Sequence, residues 1–297
     1  MLSSLFRCGW ICLLALASFP ACAVSPYVTG YQFPERGVAE VMRAVETRLA
    51  AQRFEVVGRH LPPGLPNYGT LIVTDRRLLE SIRQIGGTAI VGVGIRVGVR
   101  ADGATFYMNP EYWYRAYFRR RYDLAQTMVA DVQRRLAQAL GAGTPFGGDE
   151  TPLDLADYRY MIGMEKFDSP KNELARYPSF EAAVSVVRAN LHRGVGATAK
   201  VYEVVMPEQR LAVFGVAMND PKTGEGWWVK SLGPDHIAAL PYEIYVVGNR
   251  VGALYGRYRI ALGWPALGMG SFMSIRDAPF LIRETLARVA GAAADGR

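Results

Sequence analysis

Cysteine is nearly missing from this chain. Of 297 residues three are cysteine, and Cys8, Cys12 and Cys22 all fall within the first 22. If that segment is removed, disulfides, thiolate catalysis, iron–sulfur clusters and covalently attached haem are excluded together. Histidine is as scarce, and His60, His192 and His236 are too scattered to suggest a metal site. No apolar run reaches the ~20 residues needed to cross a bilayer, because the N-terminal run is broken at Pro20. Enzyme signatures are absent as well. There is no Gly-x-Ser-x-Gly elbow, no His-Glu-x-x-His, and no Lys-Ser pair at phosphate-loop spacing near the glycines of residues 224–226. These absences give no ground for a cofactor or a metal, and they weigh against an enzyme.

What is there begins with a targeting segment. Arg7 supplies a positive start, residues 8–18 form a short apolar run, and Ala21-Cys22-Ala23 has the small-x-small pattern cut by a signal peptidase. Residues 1–23 are read as a signal peptide cleaved near Ala23/Val24, which places the protein in the periplasm or outside the cell. Phe19 and Pro20 stand where a lipid-modified Cys22 would normally follow a leucine and a small residue, so cleavage is preferred over lipidation. Without Arg7 the chain keeps 33 basic against 27 acidic residues, a net charge of +6. That balance suits an anionic partner, a membrane surface or a simply solvated exterior.

The remaining chain repeats itself. Val38, Val41, Met42, Val45 and Leu49 share one helical face, and Phe180, Ala183, Val184, Val187 and Leu191 reproduce the same stripe 142 positions later. After the first helix, residues 55–61, 68–74, 88–100 and 104–109 read as strands, with a turn at 101–103 and a helix at 76–85. After the second come 197–206, 210–218, 239–247 and 253–263, again as four strands. Each set ends in a proline step, Asn109-Pro110 and Trp264-Pro265, and then in a helix over 123–140 or 277–290 that starts at a capping aspartate. A strand precedes each first helix, at 27–33 and 158–167. The Gly/Pro/Thr-rich stretch 141–152 separates a first module, 24–146, from a second, 147–297. The expected fold class is α+β, as two tandem β-α-β4-α modules of curved antiparallel sheet with helices packed on one face.

This arrangement resembles the domain of unknown function 302 family. The resemblance rests on the opening helix ending in Phe54-Glu55-Val56-Val57, the 68–74 strand, the long central strand and the closing Asn109-Pro110 before a helix. In the second copy, Ala239-Leu240-Pro241 stands where that family often has a leucine-proline; the first copy has Ile90-Val91 there. The resemblance implies a fold like that of the TATA-box-binding protein and no activity.

Four features are candidates for function. In residues 107–122, Tyr112, Trp113, Tyr114, Tyr117 and Phe118 alternate with Arg115, Arg119, Arg120 and Arg121. Such a mixture either packs a helix onto the sheet with solvated arginines, or presents a contact surface for a protein or anionic ligand. Export argues against nucleic acid. The run 91–100 alternates valine and isoleucine on one face with Gly92, Gly94, Arg96, Gly98 and Arg100 on the other. That second face is expected either to take close packing by the other module or to floor a ligand groove edged by Arg96 and Arg100. Residues 219–235, with Trp227, Trp228 and Lys230, are read as a loop replacing the 76–85 helix, its tryptophans serving as plugs between modules or as a ligand rim. Met161, Met164, Met269 and Met273 are read as core filler rather than as thioether ligands for copper.

The sequence therefore points first to an exported, non-catalytic accessory protein that binds a small anionic or apolar ligand, or another exported protein. Its candidate binding residues are Arg96, Arg100, Tyr112, Trp113, Arg115, Arg119, Trp227 and Trp228. The alternatives are an enzyme using Arg96, Arg115 or Glu111, and a structural or assembly protein of the cell envelope.

Overall fold

The computed structural model describes residues 23–292, so the expected signal segment, apart from Ala23, lies outside the described residues. The first half opens with β1 (Tyr27–Thr29) and α1 (Val38–Ala51), whose buried Val41, Met42, Val45 and Leu49 are four of the five residues of the expected stripe, the fifth, Val38, being partly buried. β2 (Glu55–His60) and β3 (Tyr68–Thr74) follow. Asp75 then starts α2 (Arg76–Ile85), its Oδ1 accepting from the amides of Arg77 at 2.9 Å and Leu78 at 3.2 Å. β4 (Ile95–Arg100) turns through Gly103, with φ of 95°, into β5 (Thr105–Met108). Asn109 caps α3 (Pro110–Phe118), with proline in the first turn where its missing N–H has no cost. α4 (Gln126–Leu140), the two-residue β6 (Pro145–Phe146) and α5 (Pro152–Ala156) complete this half.

The second half runs β7 (Glu173–Arg176), α6 (Phe180–His192), β8 (Thr198–Met206), β9 (Leu211–Met218) and α7 (Glu225–Leu232). It ends with β10 (Tyr242–Val247), β11 (Arg250–Gly252), α8 (Gly256–Gly263), α9 (Met269–Ser274) and α10 (Ala278–Val289). The strands form two antiparallel sheets, ordered β2-β3-β4-β5-β1-β6 and β7-β11-β10-β9-β8. The fold is α+β. Read from β2 and from β8, the first five strands of one sheet and all five of the other follow the same order.

Several sequence-based boundaries need correction. Residues 88–100 are not one strand: Gly87–Val93 is a 3-10 helix and only Ile95–Arg100 is extended. A continuous apolar run fits a buried helix turn and a buried strand equally well, so its composition could not separate them. Residues 253–263 form α8 rather than a strand, and the fourth strand of this sheet is the short β11. Residues 158–167 hold no strand; β7 lies further on. Residues 219–235 keep a helix, α7, in the place where a loop is expected. Asp123 lies in a 3-10 turn ahead of α4, and Asp277 stands at the start of α10 without a side-chain capping bond.

The halves interlock through two exchanged segments. The 3-10 helix Gly87–Val93, just before β4, lies on β9 and β10 of the other sheet. Its counterpart, the 3-10 helix Pro234–Ala239 before β10, lies on β3, β4 and β5. There Thr70 Oγ1 donates to the carbonyl of Ile237 at 3.0 Å. β2 and β8 also meet, so that a side chain at Gly58 would press on the carbonyl of Val201. One continuous apolar core runs through both halves. Among the described residues no helix is long and apolar enough to cross a membrane.

Candidate functional site

Arg96, the residue expected to edge a groove, lies inside the junction between the halves. It is 1% exposed, and its Nη1 donates to Glu243 Oε1 at 2.5 Å, its Nε to the carbonyl of Ala238 at 2.9 Å and its Nη2 to Tyr117 Oη at 3.2 Å. Glu243 Oε2 also accepts from Arg259 Nε at 3.3 Å, and Arg259 donates to the carbonyl of Ala239. The indole ring of Trp113 sits 4.7 Å from the Arg96 guanidinium carbon and 5.0 Å from that of Arg259. Burial works against both guanidinium charges, but Tyr117 and Glu243 outweigh it and raise both arginines above their ordinary range. Arg96 and Glu243 are the second residues of β4 and β10, so matching strands of the two halves supply the opposite charges.

The glycine-lined face of β4 is covered in the same way. A side chain at Gly98 would overlap Cγ2 of Ile237, and one at Gly94 would come within 2.8 Å of Ile72 Cγ2 and 3.3 Å of Tyr202 Oη. The expected groove is therefore filled by the 3-10 helix 234–239 and by β8. Close packing, the first of the two readings of this face, is what the structure displays.

The other candidates serve the same junction or its rim. Arg100 Nη1 pairs with Asp235 at 2.9 Å and its Nε and Nη2 with Asp102 at 3.0 and 2.9 Å, while Tyr68 Oη donates to Asp235 at 3.0 Å. Tyr112 donates to the carbonyl of Leu262 at 3.0 Å, and Trp113 Nε1 to that of Pro26 at 2.8 Å; both side chains are fully buried. Arg115 turns back onto Glu111 at 2.8 Å and covers the Tyr122 ring at 4.2 Å, so two of the three residues of the enzyme alternative pair locally, and the third, Arg96, is held in the buried junction. Arg119 bridges to Asp168 at 2.9 Å, Asp157 at 3.2 Å and the carbonyl of Ala156 at 3.0 Å. Trp227 is half-buried. Trp228 is buried edge-on against Trp264 of the same half. The aromatic rings of 107–122 are core, and of their arginines Arg120, 84% exposed, and Arg121 stand in solvent.

Two partners escape a reading by sequence spacing. Glu243 is a lone charge in an otherwise apolar run, a signal that could have found it, whereas Arg259 follows Arg257 at two residues' distance and carries no such mark. His60 and Glu225 form a second buried contact, Nε2 to Oε2 at 2.6 Å, where Gly226 presses on the backbone of Pro63 and Gly64. Glu225 Oε1 and the indole nitrogens of Trp228 and Trp264 are buried without a hydrogen-bond partner.

Open concavities lie elsewhere. One of about 650 Å3 runs along β7, β11 and Tyr245 and is lined by Thr88, Asp168, Asn172 and Arg250. Another of about 630 Å3 lies between the end of α1, the start of α2 and α4. Its charged lining is Arg53, Arg76, Arg77, Arg134 and Arg135 against Glu55, Asp75 and Asp131. Arg135 forms its inner wall, bonded to Asp75 at 2.8 Å and Asp131 at 2.9 Å, with its guanidinium carbon 4.6 Å from the Phe54 ring centre. Burial raises the Asp131 carboxyl, but Arg134 and Arg135 outweigh it and hold it below the usual range. Arg53 and Arg76 enter no ion pair among the described residues. No group of three or more His, Cys, Asp or Glu among the described residues is placed to hold a metal. No family model, curated protein or solved structure matches this chain.

Proposed function

We propose that this is an exported, non-catalytic accessory protein that binds a small anionic ligand in the arginine-lined cleft between α1, α2 and α4. One observation carries the reading. Five guanidinium groups face three carboxylates across a concavity of ligand size, and two of the five, Arg53 and Arg76, are left without an acidic partner. An arginine fork binds carboxylate or phosphate oxygens two at a time, and the walls formed by Arg135 and Asp131 hold the cleft rigid beforehand. The junction residues serve a different purpose, because their hydrogen bonds are taken up by the protein itself.

Export rests on the N-terminal charge and small-x-small pattern. We also read the two halves as diverged copies of one module, the reading behind the resemblance to the domain of unknown function 302 family. Its support is the shared strand order and the matched 3-10 segment before β4 and β10.

Calorimetric titration with inorganic phosphate and with a tricarboxylate tests the binding reading. The parent protein is expected to bind at least one of them. The double substitution Arg53→Ala/Arg76→Ala is expected to weaken that binding by about tenfold or more, since each charged hydrogen bond contributes roughly 1.5–3 kcal/mol. Absence of binding, or binding that ignores the substitutions, refutes the cleft as the site.

A further inference from the structure

Two surface regions differ from what the sequence leads one to expect. Met161, Met269 and Met273 are exposed rather than core filler, and the cleft between α1, α2 and α4 gathers arginines that lie in no motif. In that cleft Arg53 is held in the left-handed region, φ 62°, by the turn that closes α1, with its N–H on the carbonyl of Ala50 at 2.9 Å and the N–H of Phe54 on that of Leu49 at 3.1 Å. The turn that closes α6 is built alike, with the N–H of Gly194 on Leu191 at 3.2 Å and that of Val195 on Asn190 at 3.0 Å, but a glycine takes the left-handed position there, φ 69°. Glycine is the residue this conformation favours, so the first half holds a strained arginine where the second half has none. The strain comes with a guanidinium that enters no ion pair among the described residues.

The cleft also contains an anion of its own. Asp131, on α4, accepts from Arg134 through Oδ1 and from Arg135 Nε at 2.9 Å through Oδ2, which lies 3.5 Å from Arg77 Nη1 as well. Of these three arginines Arg135 is the fixed one, because it is mostly buried and also bonds Asp75 at 2.8 Å and the carbonyl of Gln52 at 2.9 Å. Arg77 and Arg134 are exposed, and neither pairs with a second carboxylate among the described residues. Ion pairs made by such exposed arms are weak.

We infer that the ligand of this cleft is a doubly charged oxyanion, and that Asp131 is the competitor it displaces from Arg77 and Arg134. The inference rests on the cleft being the binding site. A singly charged carboxylate offers these arms only what Asp131 already gives them, whereas a sulfate or phosphate group has two charges and oxygens on several sides. Asp131 stays in the wall with Arg135 while the arms turn to the ligand. Five guanidinium groups less the three carboxylates Glu55, Asp75 and Asp131 leave the free cleft with a net charge of +2, which suits one dianion.

The competition makes binding depend on pH. The charged groups around Asp131 are Arg134 and Arg135 on its own helix, Asp75, Arg76 and Arg77 at the start of α2, and Arg53 and Glu55 beyond the end of α1. Burial raises the free Asp131 carboxyl, but Arg134 and Arg135 outweigh it and hold it below the usual range. Once Arg134 turns to an anion beside it, part of that support is lost and the carboxyl rises. A group that holds its proton more tightly in the complex than in the free protein makes binding tighter as pH falls.

Calorimetric titration with sulfate, whose charge stays constant over the range used, tests the inference on the chain from Ala23 onward. At about pH 7, Asp131→Asn is expected to bind sulfate about fivefold or more tightly than the parent, with acetate a poor competitor for both. Arg135 keeps Asp75 in that variant, so its thermal unfolding midpoint should stay near the parent's; should it unfold, Asp131→Ser makes the same comparison. Between about pH 7 and about pH 4 the parent is expected to gain affinity toward that of the variant. Glu55 and Asp75 are present in both proteins, so the difference between the two profiles belongs to Asp131. Sulfate binding that the substitution leaves unchanged or weakens, parallel pH profiles, or acetate that competes as well as sulfate overturns the inference and leaves the cleft as the site. No sulfate binding by either protein, or binding that Arg53→Ala/Arg76→Ala does not weaken, overturns the cleft and this inference with it.

Discussion

Two guanidinium groups and one carboxylate share the buried junction, so their formal charges do not cancel. Arg96 and Arg259 carry the excess, and it is spread over the carbonyls of Ala238 and Ala239, the Tyr117 hydroxyl and the face of Trp113. The two arginines of this triad are therefore not equivalent to Glu243. Glu243→Gln leaves two buried cations without a counter-charge and is expected to cost about 3–5 kcal/mol of stability. Arg96→Met leaves the Glu243–Arg259 pair neutral and fills much of the volume, so its cost should be smaller, about 1–2 kcal/mol, mainly from the acceptors it abandons. Urea unfolding of both variants gives the comparison; an equal or reversed order would mean that Glu243 is not the charge that holds the triad. The same residues mark the limit of what could be read from the sequence at this scale. Arg96 stood out because it breaks a run of valines and glycines. Its partner is 147 positions away on a strand of the other half, and nothing in local spacing connects the two.

At the scale of elements, amphipathic stripes were legible and fully buried elements were not. α1, α2 and α6 each show one apolar face to a core and another to water, so their periodicity named them almost to the residue. α8 is buried from Tyr258 to Gly263 without a break, which removes the polar face that distinguishes a helix. Its Tyr258, Ile260 and Leu262 then mimic the alternation of a strand. The 3-10 helix Gly87–Val93 is hidden for the same reason, since Ala89 to Val93 are all buried. Its counterpart in the second half, the 3-10 helix Pro234–Ala239, lies on β4 and explains Gly98, where it leaves no room for a side chain. Gly98→Ala is expected to cost about 1–3 kcal/mol through overpacking against Ile237. Because that cost is a collision with one side chain, Gly98→Ala combined with Ile237→Ala should cost less than the sum of the two single changes by at least about 1 kcal/mol. A double-mutant cycle that adds within about 0.5 kcal/mol would show that the strand and the 3-10 helix are not in contact as described.

For the whole molecule, the question is whether the linker near residue 146 is a seam in stability as well as in sequence. Composition places a boundary there, and each half has its own sheet and its own pair of long helices. Yet each half also covers the other's β-sheet with a 3-10 segment, and the triad of Arg96, Glu243 and Arg259 has members from both. Separating the halves would uncover the glycine face of β4, strip Glu243 from Arg96, and leave His60 and Glu225 without each other. Those losses fall on buried groups, where an unpaired charge costs most. A domain that can fold alone needs few contacts across its boundary, and this boundary has its most deeply buried charges on it. Calorimetry of the chain from Ala23 onward is therefore expected to give one unfolding transition, with calorimetric and van't Hoff enthalpies in agreement, and residues 23–146 expressed alone should lack cooperative unfolding. Two resolved transitions would mean that the halves are independently stable and that their junction is a surface of association. A single one would mean that the exchanged 3-10 segments have made one cooperative unit out of two sheets, so that mutations at the junction weaken both sheets together.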